Sequence, residues 1–444
     1  MQTLLKIFFR TFFDNSIIRT FLTVFSITIS SAAVAVIMML FTLSVRAVDA
    51  PKFVKNYITE EIENLDFESQ FEFGRVQIAL SENFNPKIIV SDVTIYDNVD
   101  SLPFLEISKL ELGASLRQIS TGNFNLSTIL LDGLTIGVSR DITGDYSIKF
   151  GQNSLLTSEV DVFSPASIGL RKFFEREAFL DLENFTVTSM TVQYDDQKES
   201  KLWVIDGARI ELNKQLDDVF VRGDAAFLMG GADISMLQVN YETNLKSGDG
   251  SVGILFEGFP SEQIAAQAPV LSWLNVVEAP ISGAFRTQVG SEMEVNEINA
   301  SLKIGSGVIR ADDKSKPLRF DNANVYLSYN RKINLLNFEE ITINSNDLQT
   351  ILAGSVQLKV DENERTYYTG TLKATELKAN PLEIYERPLE FEDVEIDFLL
   401  EPKPFNLEIL KLSARDPLRE LVIFAKGQII SGKGGWEVSS DLES

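Results

Sequence analysis

The chain has 444 residues and a formal net charge of −24, and it contains neither cysteine nor histidine. Without cysteine there can be no disulfides or thiolate metal sites. Without histidine there can be no Ser-His-Asp or Cys-His catalysis and almost no catalytic zinc site. The acidic balance argues against broad contact with nucleic acid, because binding to phosphates requires an excess of Lys and Arg.

The first predicted element is a membrane-spanning helix. Residues 20–45, "TFLTVFSITISSAAVAVIMMLFTLSV", lie between Arg19 and Arg46 and carry no charge. A helix of this length crosses the roughly 30 Å hydrocarbon core of a bilayer. A secretory signal peptide is the alternative, but its apolar region is shorter, about 7–15 residues. We therefore expect an uncleaved anchor, preceded by a cytoplasmic or interfacial segment over residues 1–19.

Residues 46–70 are expected to form a linker with a short helix, and residues 71–444 are predicted to be mostly β. The apolar residues of this region recur mainly with a period of two. In "DVEIDFLL", for example, Val394, Ile396 and Phe398 fall on one face, while Glu395 and Asp397 fall on the other. Such alternation is typical of an antiparallel sheet with one wet face and one dry face.

One helical insertion interrupts the predicted strands at about residues 260–275, "PSEQIAAQAPVLSWLN". Pro269 lies inside this stretch and is expected to kink or split the helix. The dry face of the sheet must still be buried. It can close on itself, pack against a second sheet or curl into a groove that holds an apolar ligand, and periodicity does not distinguish these three arrangements.

Catalytic and metal-binding patterns are weak. The acid pairs Asp195-Asp196, Asp217-Asp218 and Asp312-Asp313 lie in polar, turn-like stretches, where Asp is favoured for backbone reasons. We therefore predict no enzymatic activity, no catalytic residues, no metal site and no cofactor.

The region after the anchor resembles the AsmA-like family of the YhdP type, which are membrane-anchored envelope proteins of diderm bacteria. The resemblance begins with "KIIVSDVTIYD", "PFLEISKLELGASL", "RQISTGNF" and "LSTILLDGLTIGVSRDITGDY". It continues with "LENFTVTSMTVQYDDQKESKLWVIDGARIEL" and with the helical insertion and the strand that follows it. The positions that match the family pattern as structural residues are Gly122, Gly133, Arg140, Asp141 and Gly144.

The resemblance implies a long, curved β-sheet that forms an elongated groove for phospholipid tails. It implies a single-pass protein of the bacterial inner membrane, with its large C-terminal region in the periplasm, that carries phospholipid between envelope membranes and has outer-membrane or other envelope proteins as partners. The candidate groove residues lie on dry strand faces: Val325, Leu327, Ile341, Ile343, Val356, Leu358, Val394, Ile396 and Phe398. The alternative for these residues is an ordinary sandwich core. The alternative for the protein is a non-catalytic envelope scaffold that assists the assembly of outer-membrane proteins.

Overall fold

The computed structural model describes most of the chain. The described residues are 16–56, 69–97, 103–116, 125–142, 146–150, 166–176, 179–197, 201–228, 234–266, 269–291, 294–310, 316–360, 365–380, 386–432 and 435–443. The predicted fold class is confirmed, because these residues are mainly β-strands, with one long N-terminal helix and a few short helices. The chain divides into two compact units, residues 1–134 with 177–182 and residues 135–176 with 183–444.

The N-terminal helix α1 spans Ser16–Val45, and its segment Thr23–Val45 is long and apolar enough to cross a membrane. Some of its hydroxyl groups bond to carbonyl oxygens of the preceding turn. Thr28 Oγ1 donates to the carbonyl oxygen of Val24 at 2.8 Å, and Thr42 Oγ1 donates to that of Met38 at 2.8 Å. Back-bonding of this kind lets Ser and Thr occur in an apolar helix without leaving a donor unpaired.

The first unit continues after α1 with short and then longer strands. They are β1 (Val48–Asp49), β2 (Ser69–Glu72), β3 (Val76–Leu80), β4 (Pro86–Asp97), β5 (Pro103–Ala114) and the beginning of β6 (Leu126–Arg140). Residues 52–56, between β1 and β2, are helical. The pairs β1–β3, β2–β4, β3–β4, β4–β5 and β5–β6 are all antiparallel. Val90 and Ile107, both less than 9% exposed, are part of the core of this unit.

The second unit begins within β6, whose residues 136–140 pair with β7 (Tyr146–Phe150), and continues with helix α2 (Ala166–Phe174). Fifteen strands then follow one another as an antiparallel ladder in which each strand pairs with the next. They are β8 (Asn184–Asp196), β9 (Lys201–Gln215), β10 (Asp218–Leu228), β11 (Ile234–Asn244), β12 (Gly250–Pro260), β14 (Pro280–Val289), β15 (Val295–Ile304), β18 (Asn322–Asn330), β19 (Leu335–Asn344), β20 (Leu348–Val360), β21 (Thr366–Ala379), β22 (Leu389–Pro402), β23 (Phe405–Asp416), β24 (Leu421–Gly432) and β25 (Gly435–Glu443).

Two features interrupt this ladder between β12 and β18. The first is the insertion, which consists of α3 (Ser261–Ala265) and the 3₁₀ helix η1 (Pro269–Val276). The second is a separate three-stranded sheet of β13 (Val277–Glu278), β16 (Gly307–Ile309) and β17 (Leu318–Phe320). The two helices correspond to the insertion expected at about residues 260–275, and the chain changes from α3 to η1 ahead of Pro269.

Candidate functional site

The strands of the second unit have one apolar face, which follows from the alternation of their side chains. In β18, Val325 is 2% exposed, Tyr326 is 47% exposed and Leu327 is 5% exposed. The register places similar residues opposite one another across the ladder. One row of directly opposed residues, here called the central row, crosses twelve strands from β11 to β25: Val239, Ile254, Phe285, Ala300, Leu327, Phe338, Gly354, Leu372, Ile396, Leu412, Ala425 and Leu442.

Gly354 belongs to this row for a steric reason. A Cβ at this position would lie 2.0 Å from the carbonyl oxygen of Thr371 on the neighbouring strand. Only glycine therefore lets β20 and β21 approach each other here.

All nine candidate groove residues lie on this apolar face. Val325, Leu327, Val356, Leu358 and Phe398 belong to the large buried cluster, and Val394 belongs to a smaller one. Ile341, Ile343 and Ile396 are partly buried and pack against both clusters. The period-two pattern thus identified residues that share one face, but most of them are covered by other side chains.

The cover over part of this face is the insertion α3–η1. Ile264, Leu271 and Leu274 of the insertion are buried in the large cluster. Pro260 precedes the first residue of α3, and Pro269 begins η1, where its missing N–H leaves no helical hydrogen bond unmade. The insertion is therefore held to the sheet by its apolar side chains.

A buried tyrosine adds a polar attachment between the insertion and β21. The Tyr368 hydroxyl donates to the carbonyl oxygen of Pro269 at 2.8 Å and lies 2.9 Å from Ser272 Oγ. Tyr368 is 1% exposed, and this burial raises the pKa of its hydroxyl to about 12. Trp273 of η1 also contacts the sheet, edge-to-face against Phe338 with ring centroids 6.4 Å apart.

Beside the insertion, the apolar face forms an open-sided cavity of about 480 Å³, here called the apolar cavity. Its walls come from α3–η1, with Ile264, Val270 and Leu271, and from the strands β9 to β19. Of the nine candidate residues, Leu327 lines this cavity. Contact of lipid with the nine residues stays a prediction.

An aromatic cluster forms one wall of the apolar cavity. Trp203 contacts Phe227, Phe227 contacts Phe259, and Phe259 contacts Phe256, all near edge-to-face, with ring centroids 5.4–6.4 Å apart. Phe256 then stacks on Phe285 with centroids 5.4 Å apart. Edge-to-face and offset-stacked pairs are favourable beyond the area that they bury, so the rings of this wall stabilise one another.

The polar groups that line the apolar cavity are mostly satisfied elsewhere. Thr287 Oγ1 donates to the carbonyl oxygen of Glu297 at 2.6 Å, and the Tyr329 hydroxyl donates to Asn334 Oδ1 at 2.9 Å. The cavity therefore offers an apolar surface, and the arrangement is suited to holding a hydrocarbon chain.

Two of the three Asp-Asp pairs noted in the sequence are described, and one Asp of each lies next to a cation. Asp196 is 2% exposed and lies 3.5 Å from Arg140 Nη1, and Asp217 lies 2.6 Å from Lys246 Nζ. Asp312 and Asp313 lie outside the described residues. Within the described part of the chain, no group of three or more Asp and Glu side chains is placed to hold a metal ion.

Three of the five residues that match the family pattern lie in the described part of the chain, at or next to strand β6. Gly133 has φ +77°, and a Cβ there would lie 2.3 Å from Ser108 Oγ, so both backbone and space require glycine. Arg140 ends β6 and pairs with Asp196, and Asp141 follows it directly. Gly122 and Gly144 lie outside the described residues.

The sequence reasoning missed the aromatic wall. Phe227, Phe256 and Phe285 show the same period-two spacing as the predicted residues, in "DAAFL", "GILFEGF" and "SGAFRTQ". The glycines and alanines in these strands weaken the alternation, so the signal was present but less regular.

Comparison of the chain with protein-family models, with curated proteins and with solved structures gave no match. The resemblance to the AsmA-like family therefore rests on the residue patterns alone and stays a prediction.

Proposed function

We propose that this protein is anchored in the bacterial inner membrane by α1 and carries phospholipid along the apolar face of its periplasmic β-ladder. The observation that carries the proposal is the apolar cavity, an open-sided space of about 480 Å³ lined by aromatic and aliphatic side chains. Soluble proteins rarely expose concave apolar surface without using it to bind something.

Energetics support hydrocarbon as the occupant. Each methylene group that leaves water contributes about 0.8 kcal/mol, so one acyl chain in the cavity supplies enough free energy for binding. Neither a nucleophile nor a metal is needed for this process. Binding and release of hydrocarbon therefore do not depend on cysteine or histidine, which this chain lacks.

The dimensions also support a carrier. The central row crosses twelve strands, and at about 4.8 Å between neighbouring strands its length is on the order of 50 Å. The tails of one lipid cover about half of a 30 Å bilayer core, or roughly 15 Å. The apolar face, part of which α3–η1 covers, thus exceeds one lipid in length, as movement from one position to the next requires.

The test is mass spectrometry of the lipids that co-purify with the full chain from a diderm bacterium. The informative variant is Ala300→Trp, because Ala300 lines the apolar cavity and a large ring there fills existing space. The matched control is Ala284→Trp on the same hairpin, whose side chain belongs to the opposite face, facing Leu255 and Ser301.

We expect the wild type to retain lipid, Ala300→Trp to retain less, and Ala284→Trp to retain the wild-type amount. Lipid that is bound equally by all three proteins would be lipid around the anchor, and the proposal would be wrong. A folded chain with an empty cavity would favour the non-catalytic envelope scaffold.

A further inference from the structure

A second concave surface lies on the opposite face of the sheet from the apolar cavity, and its lining is polar. This polar concavity has a volume of about 570 Å³ and lies on the wet face of strands β9 to β15. The two surfaces have three residues in common, Val252, Arg286 and Thr287. The two recesses thus lie back to back on the two faces of the same strands, one apolar and one polar, as the two halves of an amphiphile are.

The shared residues lie near the ends of their strands. β12 begins at Gly250 and β14 ends at Val289, so Val252, Arg286 and Thr287 all lie within three residues of the rim of the sheet. At a rim the two faces of a sheet are continuous. A tail on the apolar face can therefore be joined to a head group on the polar face without crossing the sheet.

Two charged side chains in the polar concavity are without partners among the residues that the structure describes: Arg286 and Glu242, both exposed. Other charges nearby are neutralised, since Arg222 pairs with Asp224 at 3.2 Å and Glu211 pairs with Arg209. A single cation and a single anion thus remain available to a ligand.

The register places Arg286 and Glu242 on the same face. Arg286 is opposite Gly253, Gly253 is opposite Asn240, and Glu242 is two residues further along β11. With about 4.8 Å between strands and about 3.4 Å between residues, their backbones are on the order of 12 Å apart. Gly253, between them, has open space where a side chain would lie.

Resting on the proposed function, we propose that the polar concavity is a head-group site for a phospholipid that carries both a phosphate and a primary ammonium group. Arg286 binds the phosphate through its guanidinium, and Glu242 accepts hydrogen bonds from the ammonium. The tail of the same lipid fills the apolar cavity. A head group with only a negative charge leaves Glu242 unpaired and repelled, and a quaternary ammonium has no N–H to donate.

The experiment uses the full chain in mild detergent, exposed to vesicles of phosphatidylethanolamine, phosphatidylglycerol and phosphatidylcholine in equal amounts and with identical acyl chains. Retained lipid is quantified by mass spectrometry. We expect the wild type to enrich phosphatidylethanolamine over both others. Glu242→Gln lowers the ratio of phosphatidylethanolamine to phosphatidylglycerol roughly fivefold, the effect of one partly exposed charged contact.

Arg286→Gln is expected to lower the retention of all three lipids, since each carries a phosphate. The matched control is Lys303→Gln, an exposed cation on β15 that lines neither recess. Soluble glycerophosphoethanolamine, which has the head group without tails, is expected not to displace the bound lipid.

A wild type that retains the three lipids in the vesicle ratio would overturn the head-group site, and so would a ratio unchanged in Glu242→Gln. In either case, lipid retained above the level of Ala300→Trp would leave the proposed function standing. If the wild type retains no more lipid than Ala300→Trp, both the head-group site and the proposed function are wrong. The comparison between wild type and Glu242→Gln needs no subtraction for lipid around the anchor, because both proteins have the same anchor.

Discussion

The hydroxyl groups of Tyr368 and Ser272 lie 2.9 Å apart and join β21 to the insertion across 96 residues of sequence. The same Tyr368 hydroxyl donates to the carbonyl oxygen of Pro269 at 2.8 Å. One side chain therefore attaches both the start and the middle of η1 to the sheet. The insertion borders the apolar cavity through Ile264, Val270 and Leu271, so this attachment also determines where the cavity ends.

Tyr368→Phe removes this attachment without changing the ring. We expect the variant to be destabilised by about 1–3 kcal/mol, because the buried carbonyl oxygen of Pro269 loses its donor and the Ser272 hydroxyl loses its acceptor. All three tryptophans lie in the second unit, so urea denaturation followed by tryptophan fluorescence reports on this unit. Tyr367→Phe, at the neighbouring and less buried position, is the control and is expected to unfold like the wild type. Equal urea midpoints for the wild type and both variants would contradict a stabilising role for the Tyr368 hydroxyl.

The pKa of Tyr368 predicts a loss of stability at alkaline pH. Burial raises this pKa to about 12, whereas tyrosine in the unfolded chain titrates near 10. The folded state holds the proton more tightly, so its advantage is complete below pH 10 and is lost as the pH rises through 12. The loss is about 1.4 kcal/mol per pH unit and roughly 2–3 kcal/mol in total. The difference in stability between wild type and Tyr368→Phe is therefore expected to shrink above pH 10, and a constant difference would show that Tyr368 titrates normally.

Leu327→Ala and Leu358→Ala separate the cavity from the core. Both side chains are almost fully buried in the same cluster, and each truncation is expected to cost about 2–5 kcal/mol. Leu327 lines the apolar cavity and Leu358 does not. A fluorescent acyl-chain probe is expected to bind Leu327→Ala with altered affinity and Leu358→Ala as it binds the wild type. Equal changes in both variants would mean that probe binding follows global stability.

In the first unit, Glu111 accepts a hydrogen bond from Lys87 Nζ at 2.9 Å and pairs with Lys109 Nζ at 2.9 Å. Burial alone raises the pKa of Glu111, but the hydrogen bonds and charges of Lys109 and Lys87 outweigh it and lower the pKa. This stabilisation is therefore present above the pKa of an unfolded glutamate and is lost as the pH falls through the lower folded value.

Glu111→Gln is expected to weaken the β4–β5 pair at neutral pH by about 1 kcal/mol, since the ion pair is partly exposed. We expect the β5 amides to exchange hydrogen faster in the variant than in the wild type at pH 7. Under acidic conditions we expect this difference to be smaller. Glu106→Gln, an exposed residue on the same strand, is the control. A rate difference that does not depend on pH would contradict an electrostatic role for Glu111.

The anchor is tested with lysine substitutions in α1. Val36 and Met39 are exposed within the apolar segment, and a lysine near the centre of a membrane helix costs about 2.5–3.5 kcal/mol. Val36→Lys with Met39→Lys is expected to release the chain from membranes under alkaline extraction, whereas the wild type stays in the pellet. A mature wild-type N-terminus beyond Val45 would show instead that the segment is a cleaved signal peptide.

Two parts of the fold could be read from local pattern. The uncharged run from Thr20 to Val45 predicted a long apolar helix, and the alternation around Val325 and Leu327 predicted buried faces in β18. Both depend on side-chain periodicity and hydropathy, which neighbouring residues set by themselves. The position of the helical insertion is also local, because prolines at 260 and 269 mark its start and its division.

The division of the apolar face into cavity and core depends on contacts between residues far apart in sequence. Leu327 and Leu358 have the same periodicity and nearly the same burial, but only Leu327 lines the cavity. Periodicity determines which side of a strand avoids water, whereas the segment that covers that side is chosen by packing. Here the insertion is positioned by Tyr368, about a hundred residues further along the chain. The apolar face was thus contained in the sequence, and the opening in it was decided by the tertiary structure.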